Sequence, residues 1–288
     1  MHLIEAAGLA EALSGTRSAV AAAQRLIVVD CRHDLSDPDW GRREFTAAHL
    51  PGAVFAHLDQ DLSGPVTAQS GRHPLPDPAL LGAFLSAAGI DASTHVVAYD
   101  QDKSMFAARL WWLLRWLGHA QVSVLNGGLA AWRAAGLPLQ TTQAPRTGRH
   151  FITRPALVQA IATAAVAREL AAGRILLLDA RAPDRFAGRN ETIDPVAGHV
   201  PGARNQPFAL NLDANGQLQS AAALTRLWRA VLGEIPATQV VAMCGSGVTA
   251  CHNLLAMQLA GLPGARLYAG SFSEWIRDPG RKVATGPA

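Results

Sequence analysis

The sequence feature that most constrains the fold is an internal duplication. Four segments recur in the same order, displaced by about 140–150 residues. The pairs are LIVVDCR (26–32) with ILLLDAR (175–181), AAHLPGA (47–53) with AGHVPGA (197–203), THVVAYD (94–100) with TQVVAMC (238–244), and VLNGGLAAW (124–132) with LYAGSFSEW (267–275). Repetition of several segments in one order indicates two copies of the same domain.

The pattern within each copy predicts an α/β fold. In the first copy, short and continuously apolar runs alternate with longer stretches that are rich in Ala and Leu and predict helices. The apolar runs are 26–29, 96–99 and 122–125, and the Ala/Leu-rich stretches are 78–90 and 106–118. Continuously apolar strands are typical of a parallel sheet that is buried on both faces. We therefore expect two tandem domains, each a parallel sheet flanked by helices.

The length of 288 residues suits two domains of about 140 residues each. Residues 137–155 are polar, carry three prolines and show no periodicity, which indicates a connection between the copies. The predicted boundaries are 1–140 for the N-terminal domain, 141–155 for the linker and 156–288 for the C-terminal domain.

Composition and charge exclude several classes of partner. The net charge of +3 is small and basic residues do not cluster, so we expect no nucleic-acid partner. The N-terminus lacks a signal-peptide pattern, and the apolar stretch at 108–120 is broken by Arg115 and too short for a membrane span. Three cysteines, an odd and low number, favour a reducing compartment. The sequence therefore predicts a cytoplasmic protein without a membrane partner.

The segment VVAMCGSGVTACHN (240–253) carries the clearest chemical signal. We expect a strand that ends before Cys244 and a helix that begins near Val248 and runs to about Ala260. Gly245 and Gly247 allow the backbone to turn successive N–H groups inward, beside the positive end of the helix dipole. A thiol in such a loop is favoured as a thiolate, and an anionic persulfide is stabilised equally.

Three other interpretations of this loop compete with a reactive thiol. GSGVTA (245–250) matches the dinucleotide fingerprint, but 261–273 lacks the acidic residue that would hold the ribose. A cysteine-dependent phosphatase needs an arginine at position 250, which is Ala250 here. Finally, Cys244 could be a small buried residue within a structural turn.

The two copies resemble the rhodanese-type sulfurtransferases. The resemblance rests on the D-x-R and H-x-P-G-A motifs in both copies and on a cysteine loop in the second copy alone. The loop C-G-S-G-V-T is similar to that of 3-mercaptopyruvate sulfurtransferases, whereas thiosulfate-using members carry C-R-K-G-V-T. The resemblance implies two tandem rhodanese-like domains and no cofactor. It also implies a catalytically inactive first domain, where Asp100 replaces the cysteine.

The resemblance also implies a mechanism. Cys244 would attack the sulfur of 3-mercaptopyruvate, release pyruvate and hold the sulfur as a persulfide. The acceptor would be thioredoxin, a small thiol or cyanide. Ser246 would act with His73 and Asp59 of the first copy as a proton relay.

Donor binding is implied for a set of arginines and loop residues. Arg185 matches the first carboxylate-binding arginine of the family, but the second position is Thr192 here, and Arg189 is the nearest substitute. The implied substrate-binding residues are Arg185, Arg189, Gly245, Gly247, Val248 and Thr249. We expect no metal site, because no Cys/His group has metal-ligand spacing.

Two alternative functions stay open at this point. One is a thiosulfate:cyanide sulfurtransferase with the same nucleophile. The other is a sulfur-carrying or binding module without turnover. His49 and His199 recur in both copies, as do the D-x-R pairs, so we interpret these residues as structural.

Overall fold

The computed structural model describes residues 2–15, 25–143 and 146–287. These residues form two compact units, each made of more than one stretch of the chain. The N-terminal unit comprises Met1–Gly64, Pro76–Leu157 and Ala214–Leu218, and the C-terminal unit comprises Pro65–Leu75, Val158–Asp213 and Gln219–Ala288.

The described residues of the N-terminal unit contain a five-stranded parallel sheet with strand order β1-β5-β4-β2-β3. Its strands are β1 (Leu3–Ile4), β2 (Leu26–Asp30), β3 (Val54–Phe55), β4 (His95–Tyr99) and β5 (Val122–Leu125). Its helices are α1 (Ala6–Leu13), α2 (Trp40–Ala47), α3 (Pro78–Ala87), α4 (Met105–Trp116) and α5 (Gly128–Ala134). The α/β prediction is confirmed for this copy.

The described residues of the C-terminal unit contain a four-stranded parallel sheet with strand order β7-β6-β8-β9. Its strands are β6 (Leu176–Asp179), β7 (Arg204–Asn205), β8 (Val240–Met243) and β9 (Arg266–Leu267). Its α-helices are α6 (Thr163–Ala171), α7 (Pro183–Phe186), α8 (Ala221–Leu232), α9 (Thr249–Leu259) and α10 (Ser271–Trp275), and 3-10 turns cover Phe208–Asn211 and Ala237–Gln239.

Strands β5, β6 and β8 are buried along their whole length, and β2 and β4 are buried except at their first residue, which explains why these sequences are continuously apolar. All four residues of β6 and of β8 are buried, as are those of β5. Two of the described α-helices begin at a residue whose side chain caps the first turn. Asp77 accepts from the N–H groups of Ala79 and Leu80 at the start of α3, and Ser220 caps α8 in the same way.

The repeated D-x-R motif forms a buried ion pair in each copy. The guanidinium of Arg32 lies 2.7 Å from Asp30, and that of Arg181 lies 2.7 Å from Asp179. Each arginine also donates to a backbone carbonyl, that of Ala48 or of Gly198. Because all four side chains are nearly inaccessible, the structural interpretation of these pairs is confirmed.

The recurring histidines make equivalent contacts with neighbouring aromatic residues. His49 is stacked on Phe45 and hydrogen-bonds its carbonyl through Nδ1, at 2.7 Å. His199 is stacked on Phe186 and hydrogen-bonds that carbonyl at 2.8 Å. These contacts support the structural role that the duplication predicts.

None of the helices within the described ranges combines the length and the apolar character that a membrane crossing requires.

Candidate active site

Cys244 lies at the carboxyl end of a central strand, where open α/β sheets bind their ligands. It follows β8 directly, and the last residue of that strand, Met243, pairs with Asp179 of β6. The Cys244 side chain is only 2% exposed. Its backbone is fixed on both sides, because its N–H donates to the hydroxyl of Ser271 and its carbonyl accepts from Phe272.

The loop after Cys244 directs a backbone amide at the sulfur. The N–H of Gly247 donates to Sγ of Cys244 with an N···S distance of 3.1 Å. Gly247 has a φ of 80°, and a Cβ at this position would lie 2.5 Å from the carbonyl oxygen of Ala269. Both observations require glycine here. This hydrogen bond places a backbone donor at the sulfur and argues against simple apolar packing of the thiol.

Residues that follow β9 form hydrogen bonds with the loop that begins at Cys244. Ser271 is a non-glycine residue with a φ of 54°, a conformation that costs free energy and is maintained by its surroundings. Its hydroxyl donates to the carbonyl of Tyr268 and accepts from the N–H of Cys244. The N–H of Ser273 donates to the carbonyl of Gly245. The first copy has Gly128, with a φ of 53°, at the matching position.

His73 is hydrogen-bonded to the loop through Ser246. Nδ1 of His73 lies 2.7 Å from the Ser246 hydroxyl oxygen, and both side chains are buried. The segment that carries His73 belongs to the C-terminal unit. Its close approach is possible because Gly71 has no side chain, and the N–H of Arg72 donates to the hydroxyl of Ser273.

Arg185 lies beside the loop within a group of buried acidic residues. Its Nε and Nη2 bond both carboxylate oxygens of Glu191, and Nη2 also lies 3.2 Å from Asp194. Glu191 and Asp194 are 2% and 1% exposed, and Arg185 is 19% exposed. Glu191 also contacts the buried Arg181 at 3.4 Å.

Burial and ion pairing shift the pKa values of the two carboxyl groups, Glu191 and Asp194, in opposite directions. Burial pushes the pKa of Glu191 upward, but hydrogen bonds from Arg185 and from the N–H groups of Asp194 and Ile193 outweigh it, so the pKa is lowered. Burial raises the pKa of Asp194 above its usual range, although Arg72 opposes the shift.

Arg189 has a different environment from Arg185. It is exposed, and its backbone N–H donates to the carbonyl of Asp184.

Val248 and Thr249 mark the start of α9, where helix N–H groups lack intrahelical acceptors. Sequence reasoning missed Arg72, Glu191 and Asp194. The last two appear in the sequence as an acidic pair between Arg185 and the H-V-P-G-A motif, a signal that could have been used.

Comparison with known protein families identifies the family of this chain. The rhodanese-like domain matches residues 14–135 and again residues 162–278. The chain belongs to the rhodanese family. Its two rhodanese-like domains account for the duplicated motifs.

Relatives and solved structures agree with this family. A probable 3-mercaptopyruvate sulfurtransferase of Pseudomonas aeruginosa is 50% identical over 263 residues, which is 91% of this chain and 93% of that protein. A putative thiosulfate sulfurtransferase, SseB, of Mycobacterium tuberculosis is 40% identical over 262 residues, or 91% of each chain. The crystal structure of the 3-mercaptopyruvate sulfurtransferase SseA from Escherichia coli matches with a TM-score of 0.78 at 28% identity, covering 94% of this chain and 98% of that one.

The first rhodanese-like domain has a carboxylate where the second has its thiol. Asp100 follows β4 as Cys244 follows β8, and its side chain is 1% exposed. Its carboxylate accepts from the backbone N–H groups of Ser104, Phe106 and Ala107. The sequence of this copy predicts no anion-binding loop like that of Cys244. In the structure, however, these backbone N–H groups bind the carboxylate of Asp100.

One group of potential metal ligands lies in the N-terminal rhodanese-like domain. His33, His57 and Asp59 place ligand-type atoms within 4.8 Å of one another. Nδ1 of His57 accepts from the backbone N–H of Asp59, so the ring proton of His57 is on Nε2. With this tautomer, neither nitrogen of His57 offers a free lone pair to a metal ion. Sequence spacing gave no sign of this grouping. The relay role of Asp59 stays a prediction.

Proposed function

We propose that this protein is a sulfurtransferase that moves sulfane sulfur from 3-mercaptopyruvate through a persulfide on Cys244. The observation that carries the proposal is the N–H of Gly247 donating to Cys244 Sγ at the end of a central strand. An amide donor stabilises negative charge on the thiolate and on the terminal sulfur of a persulfide. The relatives named as 3-mercaptopyruvate sulfurtransferases support the same chemistry.

The proposed reaction has two steps. In the first, the Cys244 thiolate attacks the donor sulfur, the carbon–sulfur bond breaks, and the electron pair leaves with the enolate of pyruvate. The enolate takes up a proton at carbon and becomes pyruvate. In the second, an acceptor thiolate or cyanide attacks the outer sulfur, and Cys244 is released as a thiolate.

His73 and Ser246 are the proposed proton carriers for the first step. The hydrogen bond of 2.7 Å between them allows a proton to pass between the imidazole and the hydroxyl. Asp59 is proposed to orient His73. Arg185 is proposed to bind the donor carboxylate, since an arginine fork matches carboxylate geometry. Gly245, Gly247, Val248 and Thr249 would surround the reacting sulfur.

The nucleophile is tested with Cys244→Ser, and Cys31→Ser is the matched control. Cys31 is also a buried free thiol, but it lies in the N-terminal unit. Incubation with 3-mercaptopyruvate should add the mass of one sulfur atom to the wild type and to Cys31→Ser, with release of pyruvate. Cys244→Ser should show neither. Pyruvate release at the wild-type rate by Cys244→Ser would overturn the proposal.

Thiosulfate is the second candidate donor, because the relative from Mycobacterium tuberculosis is named as a putative thiosulfate sulfurtransferase. The loop favours 3-mercaptopyruvate, since Gly245 and Ser246 are uncharged where a dianionic donor would be better served by cations. Pyruvate release and sulfite release, measured on the same preparation, distinguish the two donors. A higher kcat/KM for thiosulfate would reverse the assignment.

The proposed acceptor is thioredoxin or a small thiol, and the proposed location is the cytoplasm. Both are supported by the three cysteines, none of which forms a disulfide bond. Discharge of the preformed persulfide by reduced thioredoxin, glutathione or cyanide tests the acceptor. Loss of the persulfide without repeated turnover in all three cases would favour the non-catalytic sulfur-carrying module.

A further inference from the structure

Each rhodanese-like domain has a pocket at the same place in the duplicated fold. The pocket of the C-terminal domain has a volume of about 610 Å³ and is lined by the last turn of α6, including Leu170, and by Pro201. The pocket of the N-terminal domain has a volume of about 520 Å³ and is lined by the last turn of α1, including Leu13, and by Pro51. Both volumes lie within the range of about 300–1,000 Å³ that is typical of small-molecule sites.

A tryptophan forms an equivalent wall in each pocket. Nε1 of Trp132 donates to the carbonyl of Pro138 at 2.8 Å, and Nε1 of Trp275 donates to the carbonyl of Lys282 at 2.9 Å. Because the same hydrogen bond recurs beside the same pocket, the pocket is a feature of the fold and not a local defect in packing. The differences between the two pockets therefore show what is particular to each domain.

Two cationic side chains line the C-terminal pocket alone. Arg204 and Lys282 are both exposed, and no acidic side chain is among the described residues that line this pocket. The duplication places Val54 and Pro138 at the equivalent positions of the first copy, so neither positive charge has a counterpart there. A pocket lined by charges of one sign attracts ligands of the opposite sign. The C-terminal pocket therefore favours an anion.

The inner wall of the C-terminal pocket is apolar. Ile175 and Trp275 belong to the hydrophobic core of this domain, and Leu170 packs against that core. Leu176 and Ile235 also line the pocket. A hydrocarbon chain bound here would extend the core and remove apolar surface from water.

This pocket is separate from the cysteine loop. It is lined by Leu176, the first residue of β6, which pairs with Val240 at the start of β8. Cys244 follows the other end of β8, and at a rise of about 3.3 Å per residue the two ends are about 13 Å apart. A ligand in the pocket would therefore lie at the amino end of the sheet, away from the nucleophile.

We propose that the C-terminal pocket binds a small amphipathic carboxylate of the medium-chain fatty acid type. The hydrocarbon chain lies against Leu170 and Trp275, and the carboxylate binds Arg204 and Lys282. Arginine offers paired N–H donors that match a carboxylate, and lysine adds a second positive charge. Each side of a stable protein interface uses about 20–30 residues, which is more than line this pocket, so a small molecule fits the site better than a protein surface.

Isothermal titration calorimetry of the full chain with octanoate tests the proposal. We expect one octanoate to bind per chain, and binding should tighten from hexanoate to octanoate by up to about 4-fold for each added methylene group. Two ligands with the same chain length, 1-octanol and octylammonium, should bind more weakly, the cation most weakly of all. Equal affinity for all three ligands, or no binding at millimolar octanoate, would overturn the inference.

The double variant Arg204→Gln, Lys282→Gln tests the role of the two charges. Both side chains are exposed, so the fold should be retained, and thermal unfolding midpoints verify this. Affinity for octanoate should fall by at least about 10-fold because two charge-assisted contacts are lost, whereas affinity for 1-octanol should not change. An unchanged affinity for octanoate in this variant would contradict the inference.

The duplication supplies a matched pair of variants for the apolar wall. Leu170→Asp places a carboxylate in the C-terminal pocket, and Leu13→Asp makes the same change in the N-terminal pocket. Octanoate binding should fall by more than about 10-fold in Leu170→Asp, because a charge replaces apolar surface. It should be unchanged in Leu13→Asp. A loss in Leu13→Asp alone would assign the octanoate site to the N-terminal pocket and overturn the inference. If Leu170→Asp does not fold, the double charge variant decides the question.

Discussion

The imidazole of His73 and the hydroxyl of Ser246 form a hydrogen bond of 2.7 Å, although 173 residues separate them in the chain. The segment that carries His73 is anchored by Arg72, whose N–H donates to Ser273, and by Arg277, which donates to the carbonyl of Ser70. The hydrogen bond therefore belongs to a fixed backbone arrangement.

The first prediction concerns this pair. We expect Ser246→Ala and His73→Gln each to lower kcat for 3-mercaptopyruvate by about 10- to 100-fold, because each breaks the same proton path. The double variant should be no slower than the worse single variant. Steady-state pyruvate release gives the three rates, and thermal unfolding midpoints verify that the variants are folded. Multiplicative losses would show that the two side chains act independently.

A second prediction concerns Gly247, which combines a positive φ with a close backbone neighbour. Gly261 is the matched control, because it has a φ of 74° but no heavy atom within 4 Å of the position that a Cβ would occupy. Gly261→Ala should cost about 1–2 kcal/mol in the free energy of unfolding, from the left-handed backbone alone. Gly247→Ala should cost more and should also lower activity, since the loop must move away from Ala269.

Urea denaturation of both glycine variants measures the two costs, and pyruvate release measures the effect on the Cys244 loop. Equal destabilisation of the two variants would mean that the contact with Ala269 relaxes without loss. Full activity in a stable Gly247→Ala variant would contradict the expectation that the contact with Ala269 displaces the loop from the sulfur.

A third prediction concerns the pH dependence of stability. Burial raises the pKa of Asp100 to about 6, although backbone N–H groups of Ala107, Phe106 and Ser104 favour the charged form. In the unfolded chain the carboxyl titrates near pH 4, so the folded state binds more protons between about pH 4 and 6. The stabilising contribution is therefore present below about pH 4 and is lost as the pH rises through about 6.

Relative to Asp100→Asn, the wild type should lose up to about 3 kcal/mol of unfolding free energy between about pH 4 and pH 7. Urea denaturation at several pH values gives the unfolding free energy of each protein. The prediction concerns only how the difference between the two proteins changes with pH. The Asp39→Asn variant is a control, because the Asp39 side chain is 72% exposed. A difference between wild type and Asp100→Asn that does not vary with pH would contradict the assignment.

Local structure around the nucleophile could be predicted closely from the sequence. The predicted strand at 240–243 coincides with β8, and the predicted helix at 248–260 differs from α9 (Thr249–Leu259) by one residue at each end. The predicted helices at 78–90 and 106–118 end two to three residues earlier in the structure, at Ala87 and Trp116. Helix ends are less certain because the last residues are held by few hydrogen bonds.

What the sequence determined by itself was the duplication, the parallel α/β architecture and the thiol at the end of a buried strand, because these follow from apolar periodicity and from residues adjacent in the chain. Only the tertiary structure decided that Arg72 lies beside Gly245 and that Asp194 holds it near Arg185. It also decided that Ser271, whose hydroxyl accepts from the N–H of Cys244, adopts a left-handed conformation. These relationships join residues far apart in sequence. Their geometry depends on how the segments pack, which no local pattern specifies.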